Sequence, residues 1–369
     1  MKKTLFVTAL FAALSGVAHA DTSVTLYGLI DTGVGFQRIK GNDGYKESKV
    51  GMTNGVSSGS RWGLRGAEDL GDGLSAVFTL ESGFNSANGQ SGQSSRLFGR
   101  QATVGLKSDS WGLLEFGRQT NIASKYFGAI DPFGASYGQA NVGAAFGAAN
   151  TVRHDNMVQY STPSFGGFQV GLGYSFNVAD TTAAQTGFKT ADNTRAITTG
   201  LRYVNGPLNV ALSFDQLNAS NKLTQGQVDA TPRQYTIGGS YDFEVVKLAL
   251  AYARTTDGWF GSQDVKTSAG TVGFGTNAFA DGFKANSYLV GLSAPIGGAS
   301  SLFGSWQRVS ASGTQLTGDD ATMNVFNLGY TYDLSKRTNL YTYGSYAKNY
   351  AFIDGLKSTA VGVGIRHRF

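Results

Sequence analysis

The sequence predicts an all-β fold, a 16-stranded antiparallel transmembrane β-barrel with short turns at one rim and long loops at the other. Three observations carry this. Sixteen segments after residue 20 alternate apolar and polar residues, as Leu208, Val210, Leu212 and Phe214 do with Asn209, Ala211, Ser213 and Asp215. Such a strand shows one face to an apolar phase and the other to water. The connections are alternately short and long, which a barrel inserted from one side of a membrane requires and a soluble sandwich does not. The chain opens on an export signal.

That signal comprises Lys2 and Lys3, an apolar run from Leu5 to Leu14, and Ala18-His19-Ala20 before Asp21. It predicts a leader over 1–20 and a mature barrel domain over 21–369. The apolar run is too short to span about 30 Å of hydrocarbon as a helix. Strands are expected at about 24–38, 59–68, 74–83, 96–107, 112–118, 154–162, 167–178, 195–204, 208–216, 233–242, 246–256, 285–294, 300–310, 321–332, 338–348 and 357–369. The number is even, as bacterial barrels require. Short turns are expected at 69–73, 108–111, 163–166, 205–207, 243–245, 295–299 and 333–337. Proline cannot donate to a ladder, and Pro132, Pro163, Pro207, Pro232 and Pro295 all fall in expected connections. Sixteen strands leave an aqueous bore, whereas eight are filled by side chains. Aromatic residues near strand ends, among them Trp62, Tyr160, Tyr174, Tyr241, Tyr332 and Phe369, suit the two membrane boundaries.

Charged residues make up 15% of the chain and glycine 52 of 369 residues, against roughly a quarter and about 7% in soluble domains. Lipid covering much of the surface accounts for the low charge. The absence of cysteine removes disulfides, thiol nucleophiles and thiolate metal sites. A net charge of +5, two of it in the leader, is too small to argue for nucleic acid.

Catalysis finds little footing. His19 leaves with the leader, adjacent strand residues His154 and Asp155 point to opposite faces, and His367 lies at a rim. Asp319-Asp320 reads as a solvated turn, and Gly138 to Gly147 lacks the lysine and helix of a phosphate loop. No enzyme activity, cofactor or metal is expected. Arginines facing the lumen are the better candidates: Arg61 and Arg65 oppose Trp62 and Leu64, Arg153 is in phase with Asp155, Gln159 and Ser161, and Arg202 also has inward parity. Charges in the wet interior set selectivity. The longest connection, 119–153, contains Asp131-Pro132-Phe133-Gly134; folded into the barrel, it would set Asp131 against the arginine wall and create a transverse field.

Several motifs in this order resemble the Gram-negative general porins, most closely those of β-proteobacteria. They are Val24-Thr25-Leu26-Tyr27-Gly28, Ser60-Arg61-Trp62-Gly63-Leu64-Arg65-Gly66 with Glu68-Asp69-Leu70, Phe116-Gly117-Arg118-Gln119, and Arg366-His367-Arg368-Phe369 at the end. The resemblance implies a homotrimer in the outer membrane, with short periplasmic turns, long extracellular loops and an inward-folded third long loop. It implies a basic wall of Arg61, Arg118 and Arg153 facing an acidic loop residue, Asp131. Arg118 is in phase with outward-facing Leu114 and Phe116, so this role needs a bulge at Gly117 to re-aim it. Phe369 is implied to be the address read by the barrel assembly machinery, with lipid and lipopolysaccharide as surroundings.

The expected function is passive diffusion of ions and small hydrophilic solutes, with a mild anion preference. Two rival functions fit the same sequence: a substrate-specific channel for a sugar, phosphate or carboxylate, which would show saturable block, and an adhesin using loops 39–58 and 257–284, which would conduct poorly.

Overall fold

The computed structural model describes residues 23–178, 189–223, 228–268 and 270–369. The expected leader, 1–20, lies outside them. The barrel strands are β1 (Ser23–Lys40), β2 in two segments, β2a (Lys46–Asn54) and β2b (Arg61–Gly71), β3 (Leu74–Gly83), β4 (Gln101–Ser108), β5 (Gly112–Thr120), β6 (Arg153–Ser161), β7 (Phe168–Ser175) and β8 (Arg195–Asn205). They continue with β9 (Leu208–Asn218), β10 (Arg233–Asp242), β11 (Lys247–Trp259), β12 (Ala278–Ile296), β13 (Ser300–Ser312), β14 (Met323–Asp333), β15 (Thr338–Lys348) and β16 (Lys357–Arg368). Segments β2a and β2b both pair with β1, over Thr32–Lys40 and Ser23–Leu29, so they form one barrel strand interrupted at 55–60. Each strand pairs antiparallel with the next, and β16 pairs with β1 from Leu29↔Arg368 to Lys40↔Lys357. The closed ladder leaves no edge for hydrocarbon, which cannot satisfy backbone N–H and C=O groups.

The alternation sorts residues as expected. Val24, Leu26, Val104 and Val363 are 56 to 62% exposed on the outer wall, whereas Asp31, Gln159, Gln234 and Gln307 are buried inside. Water-soluble folds have the opposite arrangement.

Three expectations need correction. Residues 39–58, read as a loop, are mostly strand; β2a is exposed along nearly its whole length, so no buried face printed an apolar alternation on it. The expected loop 257–284 holds a small hairpin, Gln263–Thr267 with Gly270–Phe274, and β12 starts at Ala278. Pro295 sits inside the ladder, opposite Ser301 of β13. It is tolerated because pairing with β11 on the other side ends at Lys247↔Ser293, so no neighbour there needs its missing N–H.

Between β5 and β6 the chain runs inside the barrel. A helix, α1 (Ile122–Phe127), is capped by Asn121, whose side chain accepts from the Ser124 N–H. Glycines on the lumen face of the wall make room for it: a Cβ at Gly171 would meet Ile122 at 2.5 Å and one at Gly200 would meet Ile122 at 2.9 Å. The Asn121 amide also bonds the Ala148 carbonyl at 2.9 Å and Asp215 of β9 at 2.8 Å, pinning both ends of the loop to the wall.

Candidate functional site

Two carboxylates organise the basic wall on the β1–β6 side. Glu81 of β3 has inward parity; its Oε1 accepts from Arg100 Nε at 2.6 Å and lies 3.8 Å from Arg61, while its Oε2 accepts from the Tyr27 hydroxyl at 3.0 Å. Arg61 enters at the first residue of β2b and is steadied by a 2.9 Å bond to the Gly59 carbonyl. Asp155 of β6 accepts from Arg118 at 2.5 Å and from Arg96 at 2.8 Å. Among the described residues each of these carboxylates is thus shared by two guanidiniums.

Arg118 reaches Asp155 despite its outward register opposite Ala102. The pairing of β5 with β6 slips between Gly117 and Gln119, and Gly117 has φ 121°, a conformation that favours glycine. The bulge turns the guanidinium into the lumen, where its Nε donates to the Gly99 carbonyl at 2.7 Å. Arg153 lies within electrostatic reach of Arg100, Arg118, Glu81 and Arg61. It donates to the Thr151 carbonyl at 3.3 Å. Arg65 stacks over the Tyr27 ring at 5.3 Å, two inward positions closer to the turn rim than Arg61. Lys125 of α1 adds a cation from the loop, 3.9 Å from Glu115 and hydrogen-bonded to Gln119 and Gln159. Burial pulls its ammonium below the usual lysine range, with Glu115 opposing the shift.

Asp131 does not face the arginines. Its carboxylate accepts from the backbone N–H groups of Phe133 at 3.1 Å, Ala135 at 2.9 Å and Val142 at 2.9 Å, and it is buried within its own loop. Burial pushes its pKa up to about 6 against the pull of these three donors. The sharp turn expected at Asp131-Pro132 exists, but an Asp beside a turn satisfies its local N–H groups before it reaches across a channel. The turn seats the loop on the far wall: Pro132 fills the space a Cβ at Gly291 would need, and Phe133 packs edge-on against Phe303 and Tyr137. Tyr137 meets Tyr341 and Tyr343, and Gln139 bonds Ser345 and Ser358. The loop therefore lines the β7–β16 side and leaves the arginine wall facing open lumen.

Sequence reasoning missed Arg96 and Arg100, because residues 96–100 were read as strand and lie in the loop before β4. The alternation sets Arg366 opposite Val361, Val363 and Ile365, yet the sequence reading gave it no place in the basic wall. It has the inward parity of Gly362 and Gly364, pairs with Asp31 across the seam and bonds Ser58 at 2.9 Å. Arg202 points inward as expected and bonds Asn209. Bulging at Asn156, with φ 48°, leaves Asp155 in the arginine cluster and His154 buried beside Gln119. His367 bonds Thr338 at an exposed position.

A closed barrel with a loop inside it and a charged wall opposite is the architecture to set beside known proteins. The model of a Gram-negative porin matches residues 7–351. The chain belongs to this family. An outer membrane porin protein of Bordetella pertussis is 69% identical over the full length of both chains, and outer membrane porin protein 32 of Delftia acidovorans is 34% identical over the full length of both. Among solved structures, an anion-selective porin from Comamonas acidovorans is 31% identical with a TM-score of 0.73, covering 95% of this chain and all of that one. The chain is therefore an outer-membrane porin of a Gram-negative bacterium, forming a water-filled channel for passive diffusion of small solutes. Porins are channels rather than enzymes.

Proposed function

We propose that this porin prefers anions and that Arg61, Arg65, Arg118 and Arg153, joined by Arg96 and Arg100, set the preference. The observation that carries the proposal is the sharing of Glu81 and of Asp155 between two guanidiniums each, while the loop's Asp131 is turned away. Among the described residues guanidiniums outnumber carboxylates along this wall, so an ion crossing beside it meets net positive charge. The relative described as anion-selective supports the same reading. At about 8 Å a unit charge contributes roughly 2 kcal/mol at an effective dielectric of 20 and about a quarter of that in water, and salt screens it further. The bias is therefore severalfold, not absolute. The test is the reversal potential of single channels under a salt gradient for the parent and for Arg61→Ala with Arg153→Ala. The double variant is expected to shift toward cations; an unchanged potential overturns the assignment.

Assembly belongs to the same proposal. Residues 1–20 act as the export leader, the barrel forms a homotrimer, and Phe369 is the residue the assembly machinery reads. The outward positions of β3–β5, such as Phe78, Leu80, Val104, Leu106 and Phe116, carry no charge, which suits subunit contact or lipid. Phe369 exchanges backbone hydrogen bonds with Gly28 at 3.1 and 3.2 Å, and its ring is 47% exposed on the closing seam.

A further inference from the structure

On the long-loop side of the inward loop lies a chamber of ≈ 610 Å³. It is bounded by β1 and β2a, by the loop stretch 138–150 and by the start of the small hairpin, Ser262 to Val265. The hairpin reaches across the mouth to β2a, where the Ser268 N–H donates to both carboxylate oxygens of Glu47 at 2.9 Å. Its root is fixed by Phe274, stacked on Phe352 with ring centroids 5.8 Å apart, and by Gln263, whose amide nitrogen donates to the Ala144 carbonyl of the inward loop. Gly35 and Gly51 face each other across the β1–β2a ladder with inward parity, so the wall there is bare backbone. A Cβ at Gly51 would meet nothing within 4 Å.

The lining consists of groups that both donate and accept. Gln37 and Asn150 make no side-chain hydrogen bond among the described residues, Asn54 commits only its carbonyl oxygen, to Ser86, and Gln263 Oε1 is buried without a partner. The hydroxyls of Tyr343 and Tyr350 also lack partners among the described residues. The ionic side chains in the lining, Lys49 and Asp264, balance each other. A carboxamide sets a donor beside an acceptor, the pattern that adjacent hydroxyls on a sugar ring complement. A tyrosine ring offers a negative face to sugar C–H groups. The volume lies within the roughly 300–1,000 Å³ of small-molecule sites. Uncommitted amides, two tyrosines and no net charge therefore favour a polyhydroxylated solute over an ion.

We propose that this chamber is a binding site for an uncharged disaccharide. Gln37, Asn54, Asn150 and Gln263 hydrogen-bond its hydroxyls, and Tyr343 and Tyr350 border its rings. The site holds the solute on the loop side, before the arginine wall. The proposal rests on the water-filled channel and is independent of the ion preference, because neither the solute nor the lining carries net charge.

The test is the ion current through the full refolded barrel in a planar bilayer, titrated with sucrose and, as a size control, with a polyethylene glycol of matched hydrodynamic radius. The parent current is expected to fall along a saturating curve with sucrose, whereas the polymer, which has no adjacent hydroxyls, lowers it without saturation. Gly51→Phe projects into the open space of the chamber and should raise the half-blocking sucrose concentration at least tenfold. Gln37→Ala with Asn150→Ala should raise it at least fivefold, and provides the reading if the phenylalanine variant does not fold. An unsaturated, polymer-like decline in the parent, or a parent-like half-block in a folded variant, overturns the proposal. Neither variant changes a charge, so the reversal potential under a salt gradient should match the parent, and this site and the arginine wall fail separately.

Discussion

Glu81→Gln tests the pore assignment from the opposite side, because it removes a negative charge from the basic wall instead of a positive one. In the parent, Glu81 sits 2.6 Å from Arg100 and 3.8 Å from Arg61, and its side chain is 14% exposed. Glutamine keeps the shape and one oxygen for Arg100 but leaves both guanidiniums without a counter-charge. For an ion passing about 8 Å away, the lost unit charge contributes roughly 0.5 to 2 kcal/mol before screening. A Debye length of about 8 Å reduces this to roughly 0.2 to 0.8 kcal/mol. The anion barrier falls and the cation barrier rises by that amount, so the ratio of anion to cation permeability should increase about twofold to about fifteenfold. The assay is the zero-current potential across a planar bilayer under a KCl gradient, repeated at high salt, where the difference should shrink. A shift toward cations, or no shift with conductance intact, would refute the reasoning. The first result would mean that the arginines do not face the conducting path, the second that the path runs elsewhere.

The other predictions concern the loop and the seam. Asp131→Asn should leave ion preference within twofold of the parent, because this carboxylate is spent on backbone donors; a strong move toward anions in the zero-current potential would place Asp131 at the pore. The same residue predicts a pH dependence. Its pKa is raised to about 6 by burial, so the folded state holds the proton that the unfolded chain releases near the ordinary carboxylate value. The stabilisation from the neutral form is complete below that value and is lost as pH rises through about 6, at most roughly 3 kcal/mol. Thermal unfolding between pH 4 and 8 should show a decline that Asp131→Asn flattens; an identical slope in both would contradict this. Gly200→Val places a side chain where Ile122 and Tyr126 now lie, and should unseat α1 and change single-channel conductance, whereas the exposed Gly206→Ser should not alter it. Deleting Phe369 removes the backbone bonds to Gly28 and the exposed terminal ring, and should reduce folded barrel recovered from outer-membrane fractions severalfold; a normal yield removes its role as an address.

What was legible in the sequence divides along a physical line. Wherever a strand separates lipid from water, its two faces demand different residues, and the alternation locates it, as along Leu208–Phe214 and Val361–Ile365. Where both faces meet the same medium, the demand disappears and so does the signal, which is why β2a looked like loop. Inward parity was a sound guide to Arg61, Arg65 and Arg202 for the same reason. It failed at Arg118 and around Asn156, where a bulge adds a residue and reverses the phase; the glycine at 117 marked the first of these, and only pairing reveals the second. Asp131 was misplaced by reasoning from charge alone. A carboxylate two residues before a free N–H has a local partner at almost no cost in chain entropy, whereas facing a wall across water gains little and is screened. The pore's charge asymmetry therefore follows from turn chemistry: the loop spends its acid on its own fold, and among the described residues the carboxylates that meet the arginines opposite, Glu81 and Asp155, belong to the arginines' own side of the barrel.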